Sequence, residues 1–388
     1  MDKIRLIFKE IKDFSRFIRK TAKKDKEIVF YSEHKDYHPY FEGIIKELID
    51  NYSHPICYVT SEADDPILEK SDPQIKTFYL DKLLPFFMVF VNCKVFVLTL
   101  TDLNRFHLKR SIHPVKYVYV FHSLASTHMK FRFGAYDHYD YLLCVGPYQV
   151  NEIRKREKLY NLPSKNLLEG GYYRLERIYN SYIKYIQQNL KLSDRKIVLI
   201  APSWGEKNIL EFCGDRLIDI LLKNNFEVIV RPHPETVRHS PYLISSLTDR
   251  FGNNSHFTLE RSISTDSSLL KADILICDSS GVALEFAFGT ERPVLFIDVP
   301  IQINNPRYRE LGIEPLEISI RSDIGSVVAP NQLGTIPRII NDLISKRSTY
   351  KSHLAQLRNQ NIFSFGHSSE IGSKCIFDLV TNKGNKKQ

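Results

Sequence analysis

Two successive series of short apolar runs, each alternating with helix-length polar segments, predict an α/β chain of two Rossmann-like domains facing each other across a cleft. Two further stretches shape that prediction: a strand–turn–helix–strand pattern over residues 271–299 and a strongly basic amphipathic stretch over residues 1–26. A chain of 388 residues has the length for two domains, each with its own core. Apolar residues make up 43%, a normal globular share, so disorder is not the default. No low-complexity tract and no fixed-period repeat interrupts the pattern.

The elements follow in order. Residues 1–26 carry ten Lys or Arg against four acids, a large part of the formal net charge of +9. Within that segment Ile4, Phe8, Ile11, Phe14 or Ser15, and Ile18 recur at helical spacing, so one face is apolar and the other basic. Two readings stand. One is a helix lying in an anionic membrane interface, and the other is a helix docked on its own domain with its charged face in water. A nucleic-acid role would want further basic motifs, which are absent from the sequence.

The first strand series is Glu27–Tyr31, Ile56–Thr60, Thr77–Leu80, Lys94–Leu100, Tyr117–Phe121 and Tyr141–Val145. Their Val, Ile, Phe and Tyr content suits strands covered on both faces, with room between them for crossover helices. A polar, Tyr- and Lys-rich helical stretch near residues 177–195 marks the interdomain junction. The second series is Lys196–Ala201, Phe226–Val230, His256–Leu259, Ile274–Cys277 and Val294–Ile297. The expected organisation is a basic helix (1–26), an N-terminal domain (27–178), a C-terminal domain (179–366), and a helix and tail (367–388) whose return to the N-terminal domain is left open. Cys57, Cys93, Cys144, Cys213, Cys277 and Cys375 are scattered through mostly apolar surroundings without a Cys-x-x-Cys pair, which favours reduced core thiols over disulfides or a zinc site. There is no secretory signal pattern. The longest apolar region, Phe86–Leu100, is broken by Asn92 and Lys94 and is too short to span a bilayer. A cytoplasmic protein, peripheral on the inner face of the membrane, is expected.

Ligands of such sheets bind beyond the carboxyl ends of strands, so the residues just after each strand carry the most information. His122 and Ser123 follow YVYVF; Arg231, Pro232, His233 and Pro234 follow FEVIV; Pro202, Ser203 and Trp204 follow IVLIA; Asp278, Ser279, Ser280 and Gly281 follow ILIC. Backbone N–H groups and hydroxyls at the Asp278–Gly281 turn suit a phosphate, with Glu285 one helical turn on, within reach of a ribose or polyol hydroxyl. The plainer reading of that turn is a helix N-cap built from small residues. Histidine suits proton transfer near neutral pH, and Pro232 and Pro234 restrict the backbone around His233, while Arg231 suits a phosphate oxygen. Taken singly, each histidine is equally a hydrogen-bonded loop residue.

Arg231-Pro-His233-Pro, ADILICDSSGVALEFAFGTERPVLF (Ala272–Phe296), APSW (Ala201–Trp204), strand-terminal His122 and GYYR (Gly171–Arg174) together resemble the CDP-glycerol glycerophosphotransferases of teichoic acid and capsule synthesis, a branch of the two-domain GT-B transferases. The resemblance runs through residues 95–380. It implies His122 as a base histidine and His233 as the second histidine. It places Ser279 and Ser280 on the donor phosphates, with Arg231, Ser203, Asp278, Gly281 and Glu285 around the donor and Ser123 and Arg174 on the acceptor side. Three positions depart from the family pattern: Ser123 stands where a Gly follows the histidine, Asp278 directly precedes Ser279 where a Tyr is usual, and Gly205 replaces an Arg after Trp204.

The implied reaction is attack by an acceptor hydroxyl on the β-phosphorus of a CDP-linked polyol with release of CMP, to a lipid-linked or polymeric glycan acceptor. No cofactor is implied. No Asp-x-Asp triplet or His/Cys cluster has metal spacing, so no essential metal is expected. A GT-B glycosyltransferase using a CMP- or UDP-sugar, a sugar-nucleotide epimerase of the same architecture, and a non-catalytic glycan- or membrane-binding scaffold are the alternatives.

Overall fold

The computed structural model describes residues 3–106, 108–188, 195–261 and 266–381. The chain divides into two compact units, one of residues 1–122, 131–174 and 362–388, the other of residues 123–130 and 175–361. The short segment directly after His122 therefore belongs to the second unit, and the C-terminal helix Ser368–Thr381 to the first.

In chain order the first unit holds α1 (Lys3–Ser15), β1 (Ile28–Ser32), α2 (His38–Asp50), β2 (Ile56–Thr60), β3 (Ile75–Tyr79), α3 (Leu84–Phe90), β4 (Val95–Leu98), β5 (Lys116–Val120), β6 (Tyr141–Cys144), α4 (Pro147–Leu159) and β7 (Asn166–Glu169). The strands form one parallel seven-stranded sheet in the order β3-β2-β1-β4-β5-β6-β7. β1, β2 and β4 are buried along their whole length, as expected of strands covered on both faces. Ile28, Phe30, Val95, Val97 and Val118 form a core with Phe41, Ile44 and Leu48 of α2 and Ile376 of the C-terminal helix.

The basic N-terminal helix is docked, but its apolar stripe does not do the docking. Glu10 is buried, and its carboxylate accepts the N–H groups of Asp81 (2.7 Å) and Leu83 (2.6 Å). Asp13 accepts the Tyr79 N–H at 3.0 Å. Just past the helix, Phe17 packs edge-on against Phe78 (5.2 Å between ring centroids) and Phe87 (4.7 Å). Ile4, Ile7, Phe8, Ile11 and Ile18 are left exposed. No helix among the described residues is long and apolar enough to cross a membrane.

The second unit opens with α5 (Tyr173–Gln188), whose first two residues lie in the first unit, and continues through β8 (Ile197–Ile200), α6 (Ile209–Lys223), β9 (Glu227–Val230), α7 (Pro234–His239), α8 (Pro241–Phe251), β10 (Phe257–Leu259), α9 (Ser267–Lys271), β11 (Ile274–Cys277), α10 (Val282–Thr290), β12 (Val294–Ile297) and β13 (Gly325–Val328). Its six parallel strands run β10-β9-β8-β11-β12-β13, the doubly wound order in which the connections reverse between β8 and β11. The core joins Val198, Ile200, Val228 and Ile276 of the sheet to Leu217 and Leu221 of α6 and Ile336 and Ile340 further on.

Almost every residue of α10 is buried, consistent with its nearly unbroken apolar sequence. Its C-terminal end is closed by Arg358, which donates to the Phe288 carbonyl (2.7 Å) and pairs with Glu291 (3.1 Å). Fully buried Arg292 donates to the carbonyls of Leu270 (2.8 Å), Leu269 (3.3 Å) and Ala272 at the end of α9, and lies over the Tyr182 ring at 4.2 Å. These contacts fix the axis of α10 and hence the place of the turn at its start.

Candidate active site

In the first unit His122 stands one residue beyond Phe121, at the carboxyl end of β5. Its Nδ1 lies 3.2 Å from the Tyr119 hydroxyl, and the rings of Tyr37 (5.5 Å), Phe131 (5.7 Å) and Tyr40 (6.2 Å) approach it edge-on. Tyr119 is fully buried, which pushes its phenol far above the usual range and keeps it a neutral hydroxyl. When Nδ1–H donates to that hydroxyl, the lone pair is on Nε2, the tautomer a base requires. Arg174 is buried, with its guanidinium 5.7 Å from the Tyr40 ring centre. A small pocket is lined by Tyr40, Phe121, Gly171, Tyr172 and Arg174 among others. Gly171 holds φ +74°, and a Cβ there would sit 2.5 Å from the Phe363 carbonyl, so the GYYR turn needs glycine at its head.

In the second unit the loops after β8 and β11 meet at the reversal point of the sheet. Asp278 ties them together. Its Oδ1 accepts the N–H groups of Ser203 (2.9 Å), Ser279 (2.7 Å) and Ser280 (3.1 Å), and its Oδ2 accepts the Ser203 hydroxyl at 2.8 Å. Four donors on one carboxylate, three of them on Oδ1, make Asp278 the residue that shapes the turn. The N–H groups of Ser279 and Ser280 are thereby taken by Asp278, which leaves the two serine hydroxyls and the start of α10 as the parts of the turn that the sequence reading offered to a phosphate. The Ser279 hydroxyl accepts from Lys130 Nζ at 2.8 Å. Ser280 is partly exposed, and Glu285 is buried in the first turn of α10. Gly281 approaches Ser123 so closely that a Cβ would lie 2.6 Å from the Ser123 hydroxyl, which places Ser123 beside this turn within the second unit.

His233 caps α7: its Nδ1 accepts the Glu235 N–H at 3.1 Å, so the proton of the neutral ring is on Nε2. Burial, aided by the positive charge of Lys130 and opposed by Glu235, brings its pKa down to about 4. At neutral pH it is a hydrogen-bond donor without charge. The Trp204 ring lies 6.3 Å away, and the Glu235 carboxylate is bonded to His239 at 3.0 Å. Arg231 is buried and donates to the Ser268 hydroxyl at 3.3 Å. Sequence reading missed Lys130 and Tyr119. The signal for Tyr119 was its place three residues before His122, in the strand that leads to it; Lys130 had none, because its partner is 149 positions away.

Among the described residues no three His, Cys, Asp or Glu side chains converge as a metal site would require. Two parallel sheets with the polar residues gathered at strand carboxyl ends define a GT-B-like fold. A family model described as CDP-Glycerol:Poly(glycerophosphate) glycerophosphotransferase matches residues 13–303, and the chain belongs to that family. It is 30% identical over 172 residues to the teichoic acid glycerol-phosphate primase of Bacillus subtilis (strain 168), a match covering 43% of this chain and 42% of the primase. The match therefore spans less than half the length of that relative. The solved structure of the wall teichoic acid polymerase TagF superposes with a TM-score of 0.62 at 17% identity, covering 99% of both chains. A putative UDP-N-acetylglucosamine 2-epimerase from Listeria monocytogenes superposes with a TM-score of 0.57 at 12% identity, over 95% of this chain and 98% of that one. The same architecture thus serves different names, and the fold alone does not choose the reaction.

Proposed function

We propose that this protein transfers glycerol phosphate from CDP-glycerol to a hydroxyl of a poly(glycerophosphate)-type acceptor carried on a lipid, releasing CMP at the inner membrane face. The acceptor oxygen forms a bond to the β-phosphorus, the bond from that phosphorus to the bridging oxygen breaks, and CMP leaves with the electron pair. His122 Nε2 takes the hydroxyl proton, oriented through Nδ1 by Tyr119. In the second unit the Ser279 and Ser280 hydroxyls and the Nε2–H of His233 hold the donor phosphates. Ser203 and Asp278 keep that turn in shape, Arg231 supplies positive charge behind it, and Glu285 takes a hydroxyl of the nucleotide or polyol. Arg174, beside Tyr40, faces the acceptor.

The observation that supports this reading best is the gathering of hydroxyls, one neutral imidazole donor and an ammonium at the reversal point of the second sheet, in a chain of this family. The exposed stripe Ile4, Phe8 and Ile11 beside basic residues supports the membrane location. The test is a donor screen with CDP-glycerol, CDP-ribitol, CMP-sialic acid and UDP-sugars, following nucleotide release. CMP release from CDP-glycerol is expected, with His122→Ala and His233→Ala each lowering turnover by roughly 10²-fold or more. Turnover of a UDP-sugar, or full activity in both variants, overturns the reading.

A further inference from the structure

Lys130 lies in the 123–130 segment, which is fastened along its length to other parts of the second unit. Asn304 Nδ2 donates to the Lys130 carbonyl (2.7 Å), Asn304 N–H to the Met129 carbonyl (3.1 Å) and Asn305 Nδ2 to the His128 carbonyl (2.8 Å). The backbone at Lys130 is thus set, and its ammonium reaches Ser279 Oγ at 2.8 Å and the Gln302 carbonyl at 3.4 Å. Among the described residues it makes no ion pair within 4.0 Å. Two carboxylates act on it from further away, and both are spent. Asp278 already holds four donors of its own turn, and Glu317 accepts the N–H and hydroxyl of Ser126, each at 2.9 Å. Burial holds the ammonium below the usual lysine range despite those carboxylates. A partly buried cation hydrogen-bonded only to neutral groups is costly unless an anion joins it.

We propose that Lys130 is a direct ligand of the donor diphosphate, held against Ser279 so that one phosphate oxygen receives both the ammonium and the turn. This rests on the reading of the Asp278–Gly281 turn as the donor site. A charge-assisted bond from a lysine to phosphate is about twice as strong as a neutral one, and it gains further as charge builds on the departing CMP. His233, kept neutral chiefly by its own burial, adds no second positive charge beside the lysine.

The test is titration calorimetry of the full chain with CDP, cytidine and inorganic pyrophosphate, for the wild type and for Lys130→Met, Lys130→Gln and Lys130→Arg. Affinity for CDP and for pyrophosphate is expected to fall at least about tenfold in the Met and Gln variants and to stay within about threefold in the Arg variant, with cytidine binding unchanged. The ligand-free melting temperature of Lys130→Met is expected to match or exceed that of the wild type, because an uncompensated charge has been removed. Unchanged CDP affinity in both neutral variants, or failure of both to fold, overturns the assignment. If the wild type binds pyrophosphate but no cytidine nucleotide and the Met variant loses it, the donor reading falls while Lys130 stands as an anion ligand. A wild type that binds neither overturns both.

Discussion

The Glu235 N–H bonded to His233 Nδ1 removes one of the two chemistries an imidazole offers. With Nδ1 occupied and the pKa near 4, His233 does not accept a proton near neutral pH, so the proposed reaction leaves proton removal to His122. This gives a stability signature. The folded ring stays neutral down to about pH 4, whereas the unfolded ring takes a proton near the ordinary value of about 6.5. The unfolded chain therefore binds more protons in that window, and stability is lost as pH falls from 6.5 toward 4. His233→Asn keeps a side-chain acceptor for the Glu235 N–H but cannot titrate. Urea unfolding at pH 7 and at pH 4.5 should show the wild type losing roughly 2 kcal/mol more than this variant. Parallel losses in the two proteins would mean that His233 titrates normally. Both histidines were legible in the sequence because each ends an apolar strand. Their proton positions were not, since these depend on a backbone N–H and a tyrosine hydroxyl that only the folded chain aligns.

Among the elements, the Asp278–Gly281 turn and α10 were read from sequence within a residue or two, because a short apolar run, small polar residues and a long apolar helix follow one another without ambiguity. β7 and β13 were not anticipated. Both are edge strands: β7 (NLLE) has no β-branched residue and no buried position, and β13 (GSVV) opens on a glycine packed tightly against the Val294 backbone. The tight fit at Gly281 was equally hidden, since Ser123 lies far from it in sequence, in the 123–130 segment of the second unit. It makes a coupled prediction. Gly281→Ala places a methyl against the Ser123 hydroxyl and should displace the turn, lowering CDP affinity by roughly tenfold; Ser123→Ala alone removes only a hydroxyl bonded to the Ala125 N–H at 3.1 Å. The double variant should recover most of the lost affinity, because the clash is with that oxygen. Additive losses in the double variant would show that the turn fails for another reason, such as backbone conformation.

For the molecule as a whole, the question is what holds the N-terminal helix and what is left for a membrane. The charge pattern alone allowed either a docked or an interfacial helix, and the structure separates the two by side chain. Acidic Glu10 and Asp13 with Phe17 attach the segment to the first unit, leaving Ile4 at 61%, Phe8 at 68% and Ile11 at 51% exposure, with Phe86 (61%) and Phe90 (50%) exposed on α3. α3 also supplies Phe87, which packs on Phe17, so both apolar groups belong to one part of the unit. Deleting residues 1–24 would remove Phe17, uncover Phe78 and Phe87 and confuse binding with stability. Replacing Ile4, Phe8 and Ile11 together by Ser removes apolar surface that is more than half exposed. This triple variant is expected to melt within a few degrees of the wild type and to keep its activity on a soluble acceptor analogue, while no longer sedimenting with anionic vesicles. The wild type should bind those vesicles less as salt rises, because Lys9, Lys12, Arg16 and Lys20 act through a field screened over about 8 Å at physiological ionic strength. Vesicle binding unchanged in the triple variant, or equal binding of the wild type to neutral vesicles, would remove the helix from any membrane role and leave its attachment to the first unit as its whole function.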